Sequence, residues 1–228
     1  MSPTYRWPRP AVAVDTAVFA VDRGALKILL VERGRPPFRG LWALPGGFLN
    51  LDEELADGAR RELAEETGLV ARPIAEVGTF GAIGRDPRGR VLSVVFLALH
   101  RGAPAPVQGG DDAAHAAWRP VRRLPRMAFD HARCVRRARD RLRELALQAP
   151  LPMDLLRRGW SLDELHRTWA AMTGQRIGTA GLRRALLRTG VAREDGRGPD
   201  GTARYRFAPR ATVARHWPVL AHTALRER

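Results

Sequence analysis

Two kinds of hydrophobic pattern run along the chain, and where they alternate they outline its elements. Four stretches are dense in β-branched and apolar residues: "AVAVDTAVFAV" (11–21), "LKILLVE" (26–32), "IAEVGTFGAI" (74–83) and "RVLSVVFLALH" (90–100). Their lengths and flanking turn residues predict strands, and "DRG" (22–24) makes the first two a hairpin. "GRDPRGR" (84–90) is the turn between the later pair, "GRPPFRG" (34–40) a loop, and "HAAWRPV" (115–121) a short further strand.

Helical spacing appears elsewhere. Asn50 with Glu53 three residues on predicts a capping box opening a helix that runs to Thr67, with Leu55, Ala59 and Leu63 on its apolar side and Gly68 as its stop. Gly58 inside that helix costs about 1 kcal/mol relative to alanine. "DHARCVRRARDRLRELALQ" (130–148) predicts a long helix, and "APLP" (149–152) breaks it, which places a domain boundary between 148 and 149. Beyond it, Ser161 and Glu164 form a second capping box ahead of Leu162, Leu165, Trp169 and Met172, with Gly174 as the stop. Thr179 is the expected cap of the next helix, "AGLRRALLRTG" (180–190), in which Leu182, Ala185 and Leu186 face inward. Two short strands, "VARE" (191–194) and "ARYRF" (203–207), flank a glycine-rich turn. Helix, turn, helix, hairpin is the element order of a winged helix-turn-helix.

Composition bounds the partners. The formal charge is +15, yet Lys27 is the one lysine among 39 basic residues, so an arginine-rich genome accounts for part of the bias. Distribution says more: residues 150–228 hold 15 arginines against 7 acidic residues, and the first 149 hold 24 basic against 17 acidic. The charge density of the tail is roughly twice that of the rest, an asymmetry suited to a polyanion. Val94 to Leu99 is among the longest apolar runs, too short to cross a bilayer. The start "MSPTYRWPRP" lacks a signal-peptide core, and a single cysteine, Cys134, excludes an internal disulfide, so the expected location is cytoplasmic.

"RRELAEETGL" (60–69) breaks two local rules at once. Glu62, Glu65 and Glu66 share one face of a helical turn, where like charges repel, and they lie near its C-terminal end, where the helix dipole disfavours anions. A solvated acidic face helped by Arg61 is one account. A dication held among the carboxylates is the other, because hard cations prefer carboxylate oxygens. Spacing decides between them. Gly47, five residues, Glu53, seven residues, then Arg61-Glu62-Leu63-Ala64-Glu65-Glu66-Thr67-Gly68-Leu69 match the Nudix box at every specified position over 23 residues.

The resemblance to Nudix hydrolases implies an α/β/α sandwich whose strand-loop-helix unit holds Mg²⁺ or Mn²⁺ against a nucleoside diphosphate. It assigns Glu62, Glu65 and Glu66 as metal ligands, with the Gly47 carbonyl as a further candidate, and Arg61 with Glu53 as the pair that braces the loop. The general base stays open among Glu66, Asp111 and Asp112. "GRDPRGRVLSVVFLA" (84–98) and "PPFRGLWALPGGF" (36–48) resemble segments of ADP-ribose pyrophosphatases in this superfamily. Arg85, Arg88 and Arg90 are then candidates for phosphate or ribose, solvation being their alternative, and Trp42 and Phe80 are candidates to stack on adenine, core packing being theirs.

"LPRMAFDHARCV" (124–135), the long helix, "SLDELHRTW" (161–169) and "ARYRFAP" (203–209) extend the likeness over nearly the whole chain, to Nudix-related transcriptional regulators of NAD metabolism of the NrtR type. That resemblance implies a Nudix domain over 1–148 and a winged helix-turn-helix over 149–228. It further implies a homodimer that binds a double-stranded DNA operator and responds to ADP-ribose. Many members have altered boxes and no hydrolysis; here the box is intact. Arg183, Arg184 and Arg188 would lie on the recognition helix, and Arg197, Arg204 and Arg206 on or near the wing, the solvated arginine being the alternative for each. "GPDGTARYRF" (198–207) departs from the wing sequence expected of the group. A dedicated pyrophosphatase with a dimerising tail is the competing reading. His131 reads as a packed or hydrogen-bonded residue.

Overall fold

The computed structural model describes residues 6–102, 113–175 and 178–226. Within them two compact units form, one from residues 6–19, 28–99 and 113–138, the other from 20–27, 100–102, 139–175 and 178–226.

The first unit is built on a mixed sheet. Its central strand β1 (Ala11–Asp22) is buried from Val14 to Ala20, so both of its faces are covered. Beside it on one side lies β2 (Ala25–Arg33), which pairs with the two-residue β3 (Trp42–Ala43). β4 (Gly46–Phe48) pairs antiparallel with β1, placing Gly47 opposite Val14 and Gly46 opposite Asp15. On the other side β6 (Val91–Leu99) runs parallel to β1 from Ala11↔Val91 to Phe19↔Leu99, and β5 (Pro73–Phe80) is antiparallel to β6 with two bulges. β7 (Ala113–Pro120) pairs with β2.

Period-two alternation divides β1 between two layers. Val14 packs with Ala59, Val94 and Phe96, and Val18 with Leu29, Leu63 and Ala98, so the even positions meet helix α1 (Leu55–Thr67). Thr16 Oγ1 donates to the Ala59 carbonyl at 3.3 Å on that face. Asp15, of opposite parity, looks toward His131 at the start of α2 (His131–Gln148). The α1 boundary corrects the sequence expectation: the helix begins at Leu55 with Glu54 as its cap residue and no side-chain cap. Glu53 accepts from the Asn50 N–H at 2.8 Å, as a capping box requires, but its carboxylate is also bound to Arg61 and the chain stays outside the helix there. Gly58 is required by space, since a Cβ there would stand 2.8 Å from Leu49 Cδ1 and 3.0 Å from Glu53 Oε1. Gly68 ends the helix in the left-handed region at φ 66°, as expected of a C-cap.

The second unit holds the later part of α2, α3 (Pro152–Leu155), α4 (Leu162–Thr173), α5 (Thr179–Arg188), the hairpin β8 (Ala192–Arg197) and β9 (Ala203–Phe207), and α6 (Arg210–Arg226). The second capping box is present with both halves: Ser161 Oγ accepts from the Glu164 N–H and Glu164 from the Ser161 N–H. The cap of α5 is Gly178, and Thr179 is the first helical residue. Glycine there leaves the backbone free to turn without a side-chain oxygen. Trp160, Leu165, Trp169, Leu186, Tyr205 and Trp217 make up the bulk of its core. The Trp160 backbone bridges β9 by accepting from the Tyr205 N–H at 2.8 Å. α6 has no counterpart among the elements expected from the sequence, and Pro218 lies inside it. Val213, Trp217, Leu220 and Ala221 nevertheless form a buried stripe at helical spacing. No helix among the described residues is long and apolar enough to cross a membrane.

Candidate functional site

The guanidinium of Arg61 organises the acidic end of the first unit. It donates to both Glu53 oxygens at 3.0 and 2.6 Å, to Glu62 at 2.8 Å, to Glu65 at 2.9 Å and to the Phe48 carbonyl at 3.2 Å. One residue thereby ties the loop after β4 to α1 and spaces two of the three carboxylates. Arg61 and the Asn50 N–H hold the Glu53 carboxyl down to about 2, and the Glu53 partnership raises Arg61 above its ordinary range.

Glu66 turns the other way, accepting from the Gly46 N–H at 2.9 Å. Burial pushes its carboxyl up to about 8, more than the Gly46 bond can offset, with Glu62 and Asp15 adding repulsion; burial also raises Glu62, against the pull of Arg61. Asp15 is 5% exposed, accepts from Ser93 Oγ, and lies 3.8 Å from His131 Nε2. His131 Nδ1 accepts the Leu44 N–H at 2.9 Å, so this buried ring is a hydrogen-bonded structural residue, as its sequence context suggested. Burial lowers its pKa, with Asp15 opposing.

Among the described residues no three His, Cys, Asp or Glu side chains stand grouped as a closed ion site, because Arg61 holds Glu62 and Glu65 and Gly46 holds Glu66. The donor set still fits a hard dication. A Cβ on Gly47 would stand 2.5 Å from the Glu62 carboxylate, so glycine keeps the main chain and that carboxylate in one small space. Burial disfavours the charged forms of Glu62 and Glu66, with neighbouring carboxylates adding to it, and a cation placed between them would offset both effects.

A cavity of about 330 Å³ opens over these groups. Its acidic wall is Asp15, Glu62 and Glu66, and Arg33, Arg85 and Arg88 bring positive charge to it. Arg85 is bound to Asp130 at 2.7 and 3.1 Å, and Arg88 grips Asp86 with Nε and NH2 at 3.0 and 2.7 Å. Arg90 donates to the Gly81 carbonyl and does not line the cavity. Neither do Trp42 and Phe80, which are 9% and 8% exposed, the first beneath the Arg119 guanidinium. The aromatic residues that do line it are Phe48 and Phe129, and the sequence reading passed over both, along with Asp15. Phe48 adjoins the box and could have been found there; Phe129 reaches the cavity only through the fold. Glu65 is half-exposed and does not line the cavity, and Asp111 and Asp112 lie outside the described residues.

In the second unit, exposed residues of α5 carry Arg183, Arg184 and Arg188. Arg183 donates to Tyr205 OH at 3.0 Å and to Glu194 at 2.6 Å, fastening α5 to the hairpin. The hairpin arginines are occupied: Arg204 lies 3.3 Å from both Glu164 and Asp200, Arg206 3.5 Å from Asp195, and Arg197 donates to the Gly201 carbonyl. Among the described residues Arg184 and Arg188 carry no ion pair.

A box-bearing strand-loop-helix on a mixed sheet, followed by helix, helix and hairpin, defines the class: the chain belongs to the NUDIX family, whose domain matches residues 9–138. Over 192 residues it is 33% identical to a protein of Acinetobacter baylyi named ADPR responsive transcriptional repressor NtrR, covering 82% of this chain and 76% of that one. The ADP-ribose pyrophosphatase of Methanocaldococcus jannaschii is 40% identical over 127 residues, 56% of this chain and 72% of the relative. Among solved structures, Shewanella oneidensis NrtR complexed with a 27mer DNA superposes with a TM-score of 0.71 at 30% identity, over 89% of this chain and 95% of that one.

Proposed function

We propose that this chain is a cytoplasmic, homodimeric repressor of NAD-metabolism genes: residues 149–228 bind a double-stranded operator, and residues 1–148 bind ADP-ribose and thereby weaken that binding. The observation that carries the reading is an intact carboxylate box around a 330 Å³ cavity in one chain with a helix-helix-hairpin unit. The likeness, over three quarters of its length, to a protein named ADPR responsive transcriptional repressor supports it. Glu62, Glu65, Glu66 and the Gly47 carbonyl would hold Mg²⁺ or Mn²⁺, which supplies charge neutralisation on a diphosphate and a bound water of lowered pKa. Arg61 and Glu53 position the ligand carboxylates, and Arg85 and Arg88 face the anionic part of the nucleotide. Ligand moves the equilibrium only by binding the DNA-free arrangement better than the DNA-competent one. A gel shift with DNA from upstream of the chain's own gene tests the reading: a specific complex at moderate salt, weakened by ADP-ribose, is expected, and absence of any specific complex contradicts it.

The unbroken box also supports turnover, the activity named for the archaeal relative. Expected is Mg²⁺-dependent release of AMP from ADP-ribose that Glu66→Gln abolishes. Turnover indistinguishable from buffer would leave sensing as the role of the same site.

A further inference from the structure

Arg183 differs from the other two arginines of α5 in how its guanidinium is held. Nε donates to Tyr205 Oη at 3.0 Å and Nη2 to the Glu194 carboxylate at 2.6 Å, so both acceptors lie along one side of the planar group. Neither acceptor is loosely placed. Tyr205 is 2% exposed, its ring stacks on that of Trp160 with centroids 5.4 Å apart, and its N–H donates to the Trp160 carbonyl at 2.8 Å. Glu194 is the residue directly opposite Tyr205 in the hairpin, and cross-strand partners share a face, so the register of β8 and β9 sets the two acceptors side by side. Arg184 and Arg188, by contrast, carry no ion pair among the described residues, and nothing there fixes their planes.

The two bonds occupy the Nε–Nη2 side of the Arg183 fork. Its far end, one hydrogen each from Nη1 and Nη2, is left over, and the side chain is 49% exposed. Two parallel donors in a fixed plane are what the O6 and N7 acceptors of a guanine match in the major groove. We infer that Arg183 reads a guanine through this end, with Glu194 and Tyr205 as its positioning residues, while Arg184 and Arg188 take backbone phosphates. A phosphate accepts from a guanidinium in many orientations, so gripping one needs no second anchor, whereas a base edge is met in one plane, which the fold has here fixed in advance. Glu194 itself repels phosphate; what it contributes is direction. This inference rests on the operator reading above and adds which residue specifies sequence.

Fluorescence anisotropy of the full chain on DNA from upstream of its own gene tests the assignment, each guanine of the bound segment being replaced in turn by 7-deazaguanine, which lacks the N7 acceptor. Wild type is expected to bind about tenfold more weakly when one particular guanine of a half-site is replaced. Arg183→Ala is expected to bind the unmodified fragment more weakly and to be indifferent to that same replacement. Glu194→Ala, at a half-exposed site where folding is not at stake, should lose most of the discrimination, and Glu194→Gln, which keeps an acceptor for Nη2, should restore it. Wild type indifferent to every replacement, or Arg183→Ala as sensitive as wild type at every guanine, overturns the reading role. Full discrimination in Glu194→Ala overturns the positioning role. Absence of any specific complex with wild type on the unmodified fragment overturns the operator reading itself.

Discussion

Arg61 and His131 show how single residues of the first unit prepare the site without belonging to its reactive edge. Arg61 holds Glu53, Glu62, Glu65 and the Phe48 carbonyl together. Removing it by Arg61→Ala is expected to weaken Mg²⁺ affinity by about 10- to 100-fold, the usual cost of losing a group that orients metal ligands, while the melting temperature changes little; equal losses in both would make Arg61 a purely structural residue. His131 predicts a pH effect. Its folded pKa is depressed by burial below the ordinary 6.5. The unfolded chain therefore takes up a proton near pH 6.5 that the fold refuses, and stability present above that pH is lost as pH falls through and below it. His131→Asn retains an acceptor for the Leu44 N–H without titrating, so its melting temperature between pH 7.5 and 5 should fall less steeply than wild type's; parallel slopes would refute the assignment. The glutamates and Arg61 were legible in the sequence because one helix fixes their spacing. Asp15 and Phe129 were not, because strand parity and a chain crossing more than 100 residues long bring them to the cavity. Trp42 and Phe80 pack into the core, the alternative that the sequence offered for each.

Elements in the second unit divide between those the sequence announces and those that only packing reveals. The box of Ser161 and Glu164 was readable because it is local, and Ser161→Ala should cost about 1 kcal/mol, seen as an earlier thermal transition; no change would mean that the helix start is held by Trp160 and Arg204 instead. α6 was not expected from the sequence, and its stripe is defined by packing, with Trp217 against Trp169 and its Nε1 donating to the Ala146 carbonyl at 2.9 Å. The helix that carries Arg184 and Arg188 shows them unpaired among the described residues, whereas acidic neighbours hold Arg204 and Arg206. Arg184→Ala and Arg188→Ala are each expected to lower the salt slope of DNA binding by about one. Arg204→Ala should leave that slope nearly unchanged and lower the melting temperature. The reverse ranking would move the DNA contact from α5 to the hairpin.

For the whole molecule, a net charge of +15 with its density greatest in residues 150–228 gives sequence-independent attraction to DNA, so salt must be controlled before specificity is claimed. The order of elements and the box were both visible in the sequence; the coupling of nucleotide to DNA is a property of the assembled chain. Fluorescence anisotropy of operator DNA titrated with the full chain at moderate salt, with and without saturating ADP-ribose and Mg²⁺, measures that coupling. The account predicts a specific complex whose affinity falls by about tenfold or more when ADP-ribose is bound. Equal affinity with and without the nucleotide, at concentrations where calorimetry shows the cavity filled, would contradict it.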